Sequence, residues 1–446
     1  MPPERLPGSF RDPAGHVFVA DGILYRRIEP IGAEAYHALT QSGLYAALVA
    51  DSDLLPHDEM EPGIIRPERI PMVSYPYEWC FSQLRDAALL TLRVQQRAMA
   101  FGMSLKDASA YNVQFRGGSP VFIDTLSFEL RRPGPWPAYR QFCQHFYAPL
   151  LLWSMGDARL ARLGQSFLDG IPLDLASTLL PKRSWLRAGP LLHVHLHAAA
   201  AARLARRTDS SPRGAASGRG GEGLLESLTR AVASVRWAPE SSWNKYYAEE
   251  CSYDRDALSQ KLEAVTAWIE QTRPTTVWDL GANTGMFSTI AARHAGRVVA
   301  FDGDPACVET MYREGRRARL PLLPLVMDLG APSPAIGWAN EERMTLEQRG
   351  PADLVLALAL VHHLAIGNNV PLPAVAAYLA RLARRVIVEF VPKSDAMVQR
   401  MLAGRDDVFG GYTREQFEES FGAHFRIDGQ HALGTSGRVL FLMTLR

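Results

Sequence analysis

The 446-residue chain has few cysteines, few lysines and no long apolar run. Its four cysteines are Cys80, Cys143, Cys251 and Cys307, and no two form a C-x-x-C pair. Neither a zinc knuckle nor a disulfide framework is expected, and free thiols suit a reducing cytosol. The opening MPPERLPGSFRDPAG is polar and proline-rich, without the apolar stretch of a signal peptide. The longest apolar runs, such as Leu354 to Val361, fall far short of a bilayer span. A cytoplasmic protein without membrane contact is the expectation. A dominant charge is also missing, because 48 Lys+Arg against 47 Asp+Glu leave a formal charge of +1. That balance argues against a general nucleic-acid coat or a polybasic membrane binder, yet leaves room for a local basic patch. Only five of the basic residues are lysine, an arginine bias read as coding composition.

Against these absences, hydrophobic residues make up 47% and charged residues 21%, enough for a packed core. The length suits two domains. Residues 207–223, RTDSSPRGAASGRGGEG, read as a flexible linker with no apolar periodicity. It separates an N-terminal domain, 1–206, from a C-terminal domain, 224–446. In the latter, short apolar runs at Thr276–Leu280, Arg297–Phe301, Leu322–Met327, Leu354–Val361 and Val386–Phe390 alternate with helical patterns. Strands alternating with helices imply βαβ units, a parallel sheet and an α/β, Rossmann-like doubly wound fold. Val439–Leu445 suits a late antiparallel strand. Phe409–Phe421 reads as a structural helix capped by Thr413, with Gln416 at capping-box spacing. The N-terminal half has an α+β pattern. His16–Ala20 and Ile23–Ile28 flank the turn Asp21-Gly22, and helices are expected over Glu34–Val49, Ser82–Ala100 and much of 136–205.

The first strand of the C-terminal half runs into Asp279-Leu280-Gly281-Ala282-Asn283-Thr284-Gly285. A tight glycine turn from strand to helix lets backbone approach a ligand. Asp302 ends the next strand, where a carboxylate can take both hydroxyls of a ribose. Asp328 follows the third, where it can accept from an adenine amino group. The nicotinamide fingerprint G-x-G-x-x-G fails at Asn283, and no Gly-Lys-Ser/Thr of a P-loop follows. An acidic residue at the turn would repel a pyrophosphate and suits a ligand carrying an ammonium and a sulfonium.

The run VWDLGANTGMFS, then VVAFDGDP, then MDL, resembles the first motifs of class I S-adenosylmethionine-dependent methyltransferases. The resemblance spans about residues 240–446. It implies a seven-stranded sheet with the last strand antiparallel, and S-adenosylmethionine as cofactor. It places Asp279, Gly281, Ala282, Asn283 and Gly285 at the methionine part, Asp302 and Gly303 at the ribose, and Asp328 and Leu329 at the adenine. The leading segment Trp243–Tyr247, with Tyr253-Asp254 nearby, would form a lid, with Tyr247 on the cofactor. The whole-chain layout resembles bacterial methyltransferases of the nodulation-host-specificity type, a label that fixes no substrate.

Methyl transfer needs a nucleophile aligned with the methyl group and water kept out. Candidate groups lie at the carboxyl ends of strands four and five: His362, His363 and Glu389, followed by Lys393 and Asp395. Asn368 and Asn369 could hold a polar substrate or simply turn the chain. The expected acceptor is a hydroxyl of a small molecule or glycan, with nucleic acid disfavoured by the charge balance. Competing readings are a binding or scaffold protein and, further off, a phosphotransferase.

In the first half, Asp107, Asn112 and Asp124 within LKDASAYNVQFRGGSPVFID resemble the catalytic segment of kinase-like and aminoglycoside-phosphotransferase-like folds. There the first aspartate orients a hydroxyl, and the asparagine and second aspartate hold magnesium. The sequence departs from that pattern in having no lysine before Lys106, no glycine-rich phosphate loop, and Thr-Leu after Asp124. Arg26 or Arg27 could stand in for the lysine only with different reach. The expectation is a degenerate kinase-like module that selects substrate or partner. His193, His195 and His197 invite a metal reading, but no acid or cysteine lies close in sequence, so no metal site is expected.

Overall fold

The computed structural model describes residues 4–205, 218–238, 255–404 and 406–446. The lid segment Trp243–Tyr247, Tyr253-Asp254 and residues 207–217 of the expected linker lie outside them. The chain forms two compact units, residues 1–238 with 336–343, and 239–335 with 344–446.

The first unit opens with β1 (Glu4–Arg5), β2 (Gly15–Ala20) and β3 (Ile23–Ile28). Asp21 and Gly22 both take positive φ, which closes the β2–β3 hairpin with the twist that such turns favour. The helical stretch expected over 34–49 is two helices, α1 (Pro30–Gln41) and α2 (Leu44–Ala50), broken at Gly43 with φ 84°. With β4 (His57–Glu61) and β5 (Ile64–Pro67) the strands make an antiparallel sheet ordered β1-β2-β3-β5-β4. The long α3 (Phe81–Ala100) buries Leu84, Ala88 and Leu92, the helical spacing seen in sequence. Two small hairpin-like pairings follow, β6 (Met103–Leu105) with β9 (Phe128–Leu130), and β7 (Val113–Arg116) with β8 (Ser119–Phe122). The rest of 136–205 is largely helical.

The expected boundary moves. Residues 218–223 begin the helix Gly218–Ser234, which packs on α3 and buries Leu225, Leu228, Ala231 and Val232. Those apolar residues recur at helical spacing behind the glycines, so the segment repays its ordering by burial. The first unit therefore runs to residue 238.

The second unit is built on a seven-stranded sheet ordered β12-β11-β10-β13-β14-β16-β15. Its strands are β10 (Thr276–Leu280), β11 (Arg297–Asp302), β12 (Leu322–Val326), β13 (Ala352–Ala357), β14 (Ala383–Phe390), β15 (Phe425–Leu433) and β16 (Arg438–Leu445). The first five pair in parallel, and β16 runs antiparallel to both neighbours. The middles of the parallel strands are apolar and buried because helices cover both faces. β13 stops at Ala357, short of the expected Val361, because Ala359 turns with φ 50° and gives its N–H to Glu389. The strand order reverses between β10 and β13, the place where such sheets leave a crevice at their carboxyl ends. Thr413 accepts from the Gln416 amide and opens the helix Arg414–Gly422.

Candidate cofactor and active site

The turn after β10 sits at that crevice. Gly281, Asn283 and Gly285 have φ of 76°, 53° and 84°, a left-handed path that only glycine and asparagine take easily. Gly281 and Ala282 amides both bond the Phe301 carbonyl, fixing the turn to β11. A Cβ at Gly285 would fall 2.7 Å from Met311 Cγ, so the helix Met286–His294 starts where a side chain has no room.

Two carboxylates frame the turn. Asp279 is buried and accepts a 2.5 Å hydrogen bond from Ser288 on the helix that follows. Burial, with the nearby Asp302 charge, raises it to about 6. Asp302 accepts from the Asn283 amide at 2.7 Å and the Asp304 amide at 2.8 Å, and burial lifts it to about 6 as well. The structure thus brings Asp279, Gly281, Ala282, Asn283, Gly285 and Asp302 into one cradle. Gly303 follows Asp302, and a Cβ there would make only ordinary contact with Met327 and Asp328. Asp328 and Leu329 are half-buried beyond β12, where Asp328 accepts from the Gly330 amide. Asn368 closes against the same point, since a Cβ on Gly330 would lie 2.5 Å from its Nδ2.

The cradle fits S-adenosylmethionine. Asp302 keeps lone pairs beyond its two amide bonds for ribose hydroxyls, and buried acids suit a cationic ligand. Tyr247 falls outside the described residues.

On the far side of β10 stand the histidines. His362 is 2% exposed, and its Nδ1 is buried with no hydrogen-bond partner among the described residues. His363 is less buried, and the two rings lie 4.2 Å apart between centroids. Burial lowers both below the ordinary histidine range, so both are neutral near pH 7.

Glu389 is corrected. It is fully buried, and its carboxylate takes Lys261 Nζ at 2.7 Å, Arg438 Nη1 at 3.2 Å and the Ala359 amide at 2.9 Å. Arg438 in turn pairs with Asp395 at 2.7 Å, and Asp395 caps the helix Ala396–Leu402. A carboxylate held by two cations and an amide is no base; it holds the loop after β13 in place. Lys393 pairs with Asp407 at the surface. Sequence reasoning missed Lys261 and Arg438. The signal was there for Lys261, which falls in the buried stripe Ala257, Lys261, Val265, Ile269.

The phosphotransfer-like residues also meet, within the first unit, but differently from the sequence expectation. Asp124 accepts from Arg26 Nη1, Ser127 Oγ and the Leu126 amide. Burial pushes Asp124 up, but Arg26 and these bonds leave it below the usual carboxylate range. Asn112 donates to Ser127, and burial with the Asp124 charge raises Asp107. The Arg26 guanidinium, shared with Asp12, sits on the aspartate that would hold magnesium. His193 is bonded to Tyr139 and Ser227, and His195 to Ser177 and Ser184, so hydroxyls occupy their ring nitrogens.

Sheet order, reversed β16, glycine turn and paired acids at the tips of β10 and β11 give the second unit the fold of class I S-adenosylmethionine-dependent methyltransferases. No family model matches the chain. Nodulation protein NoeA of Rhizobium meliloti (strain 1021) is 34% identical over 458 residues, covering 98% of this chain and 96% of that one. The chain belongs to the NoeA family. Similar solved structures include N-methyltransferase NodS from Bradyrhizobium japonicum WM9 with S-adenosyl-L-homocysteine, at 12% identity and TM-score 0.34 over 46% of this chain and 96% of that one. Magnesium protoporphyrin IX methyltransferase from Synechocystis PCC 6803 with bound SAM shows 18% identity and TM-score 0.32 over 47% and 100%.

Proposed function

We propose that the second unit moves a methyl group from S-adenosylmethionine to a hydroxyl of a small molecule or glycan. The observation that carries the reading is the shared cradle, with Asp302 bonded to the amide of Asn283 in the turn that Asp279 precedes. The cofactor, when bound, supplies an electrophilic methyl on a sulfonium. Asp302 accepts from ribose hydroxyls, Asp279 faces the positive charge, and Asp328 with Leu329 borders the base. Neutral His363, the less buried of the pair, accepts the acceptor's proton, and His362 packs behind it. Asn368 holds the acceptor's polar groups.

The first unit reads as a kinase-like module that selects or presents the acceptor. The Arg26–Asp124 ion pair speaks against phosphoryl transfer, because a guanidinium stands where a metal would be needed.

The test is a labelled-methyl assay on cell extract, with the acceptor identified by mass spectrometry. His363→Ala is expected to lower kcat by about 10²–10⁴-fold. Loss of a thermal shift with S-adenosylhomocysteine in Asp302→Ala is the matching binding result. No shift in the parent chain, or an equal shift in Asp302→Ala, overturns the cofactor assignment.

A further inference from the structure

Within the first unit lies a cleft of about 830 Å³. That volume is in the range of sites for small ligands, about 300–1,000 Å³. Its rim carries Arg183, Arg187, Arg230 and Arg236. Four guanidiniums in one cleft are a marked concentration for a chain whose formal charge is +1. Among the described residues no carboxylate pairs with any of the four. Where they are bonded, the partners are main-chain carbonyls. Arg183 donates to Met155 at 3.0 Å, and Arg236 donates to Ala233 and Val235 at the end of the helix Gly218–Ser234. A carbonyl orients a guanidinium without cancelling its charge, and each fork keeps further N–H donors.

The arginines come in two pairs from two parts of the chain. Arg183 and Arg187 come from one stretch, and Arg230 and Arg236 from the end of the helix Gly218–Ser234 and just beyond it. Between them the floor is apolar, with Leu151, Met155 and Val235. Tyr147 also lines the cleft although it is 1% exposed overall. Burial and the nearby Cys143 push its phenol up, and the Arg187 charge pulls it back. Glycine at 189 keeps this spot open, because a Cβ there would fall 2.4 Å from the Tyr147 hydroxyl. Two stretches of widened helix, Cys143–Tyr147 and Leu152–Gly156, supply Tyr147, Ser154 and Met155 to the walls. Such irregular turns recur at functional sites.

We infer that this cleft binds a small molecule carrying tetrahedral oxyanion esters, phosphate or sulfate, clasped between the two arginine pairs with its uncharged body on the apolar floor. Arginine forks match such oxyanions bidentately. The inference stands on the first unit alone and does not depend on the methyltransferase reading.

The full-length chain is titrated by calorimetry with inorganic pyrophosphate, glucose 6-phosphate, glucose 6-sulfate and glucose. The charged probes bind and glucose does not. The stronger of the phosphate and sulfate sugars names the source of the oxyanion. Arg187→Ala with Arg230→Ala weakens binding at least about tenfold, Arg187→Lys weakens it measurably, and raising the salt weakens it further. Ser234→Trp, which fills the cleft and removes no charge, abolishes binding while S-adenosylhomocysteine binding is unchanged. Equal affinity in parent and double variant overturns the inference, as does binding of glucose equal to that of its esters. Arginine-dependent binding of a 20-nucleotide RNA with no binding of the small probes would also overturn it, in favour of a nucleic-acid surface.

Discussion

Asp279 and Asp302 are the residues on which pH acts. Both have folded values of about 6, above the ordinary aspartate value of about 3.9. Their stabilising effect on the ligand-free protein is full below the unfolded value and is lost as pH rises through 6. Binding of a cationic cofactor follows the opposite sign, since it needs the ionised carboxylates. The affinity for S-adenosylmethionine is therefore expected to fall below pH 6 by about tenfold per pH unit for each of the two carboxylates that must ionise, read by calorimetry between pH 5 and 7.5. A flat profile over that range would contradict the assignment of these two acids. Glu389 makes a different forecast. Glu389→Gln leaves Lys261 and Arg438 short of a counter-charge and is expected to destabilise the protein by about 3–5 kcal/mol in denaturant unfolding. A catalytic glutamate would instead lose activity at unchanged stability. The cofactor acids were legible in sequence because each sits at the end of an apolar strand. Glu389 sits at such an end too, and misled, because a strand pattern shows position and not which charges come to meet it.

At the level of elements, the parallel strands were readable because burial on both faces leaves continuous apolar runs. β15 was not, because only Phe425 and Leu433 of its nine residues are buried and the pattern FRIDGQHAL looks like loop. Gly43 hid the break between α1 and α2, as one glycine within an apolar helical pattern reads as tolerated. The helix Gly218–Ser234 was masked by its glycine-rich start. Leu228→Ala on that helix is expected to cost about 2–5 kcal/mol, checked by chemical unfolding, whereas a linker residue would cost nothing measurable. Gly285→Ala should weaken S-adenosylhomocysteine binding, because φ of 84° and the contact with Met311 both oppose a methyl group. Calorimetry on that variant reads the effect directly.

For the molecule as a whole, the two proposed sites are expected to answer different ligands. ATP with magnesium is expected to give no thermal shift that depends on Asp124, because Arg26 already neutralises that aspartate. A shift that vanishes in Asp124→Ala would restore the phosphotransferase reading. The division into two units was visible from length and composition, but its position was set by side-chain burial that composition cannot report. The buried charges of the second unit carry one more consequence, for how this sequence can change over generations. Lys261, Glu389, Arg438 and Asp395 come from separate parts of the chain yet answer one another. Replacing any one alone strands a charge in a dry interior, so each single step is penalised while a concerted exchange to apolar residues is open. Relatives that drift should keep all four or lose them together, and a double-mutant cycle on Lys261 and Glu389 would show strongly non-additive losses.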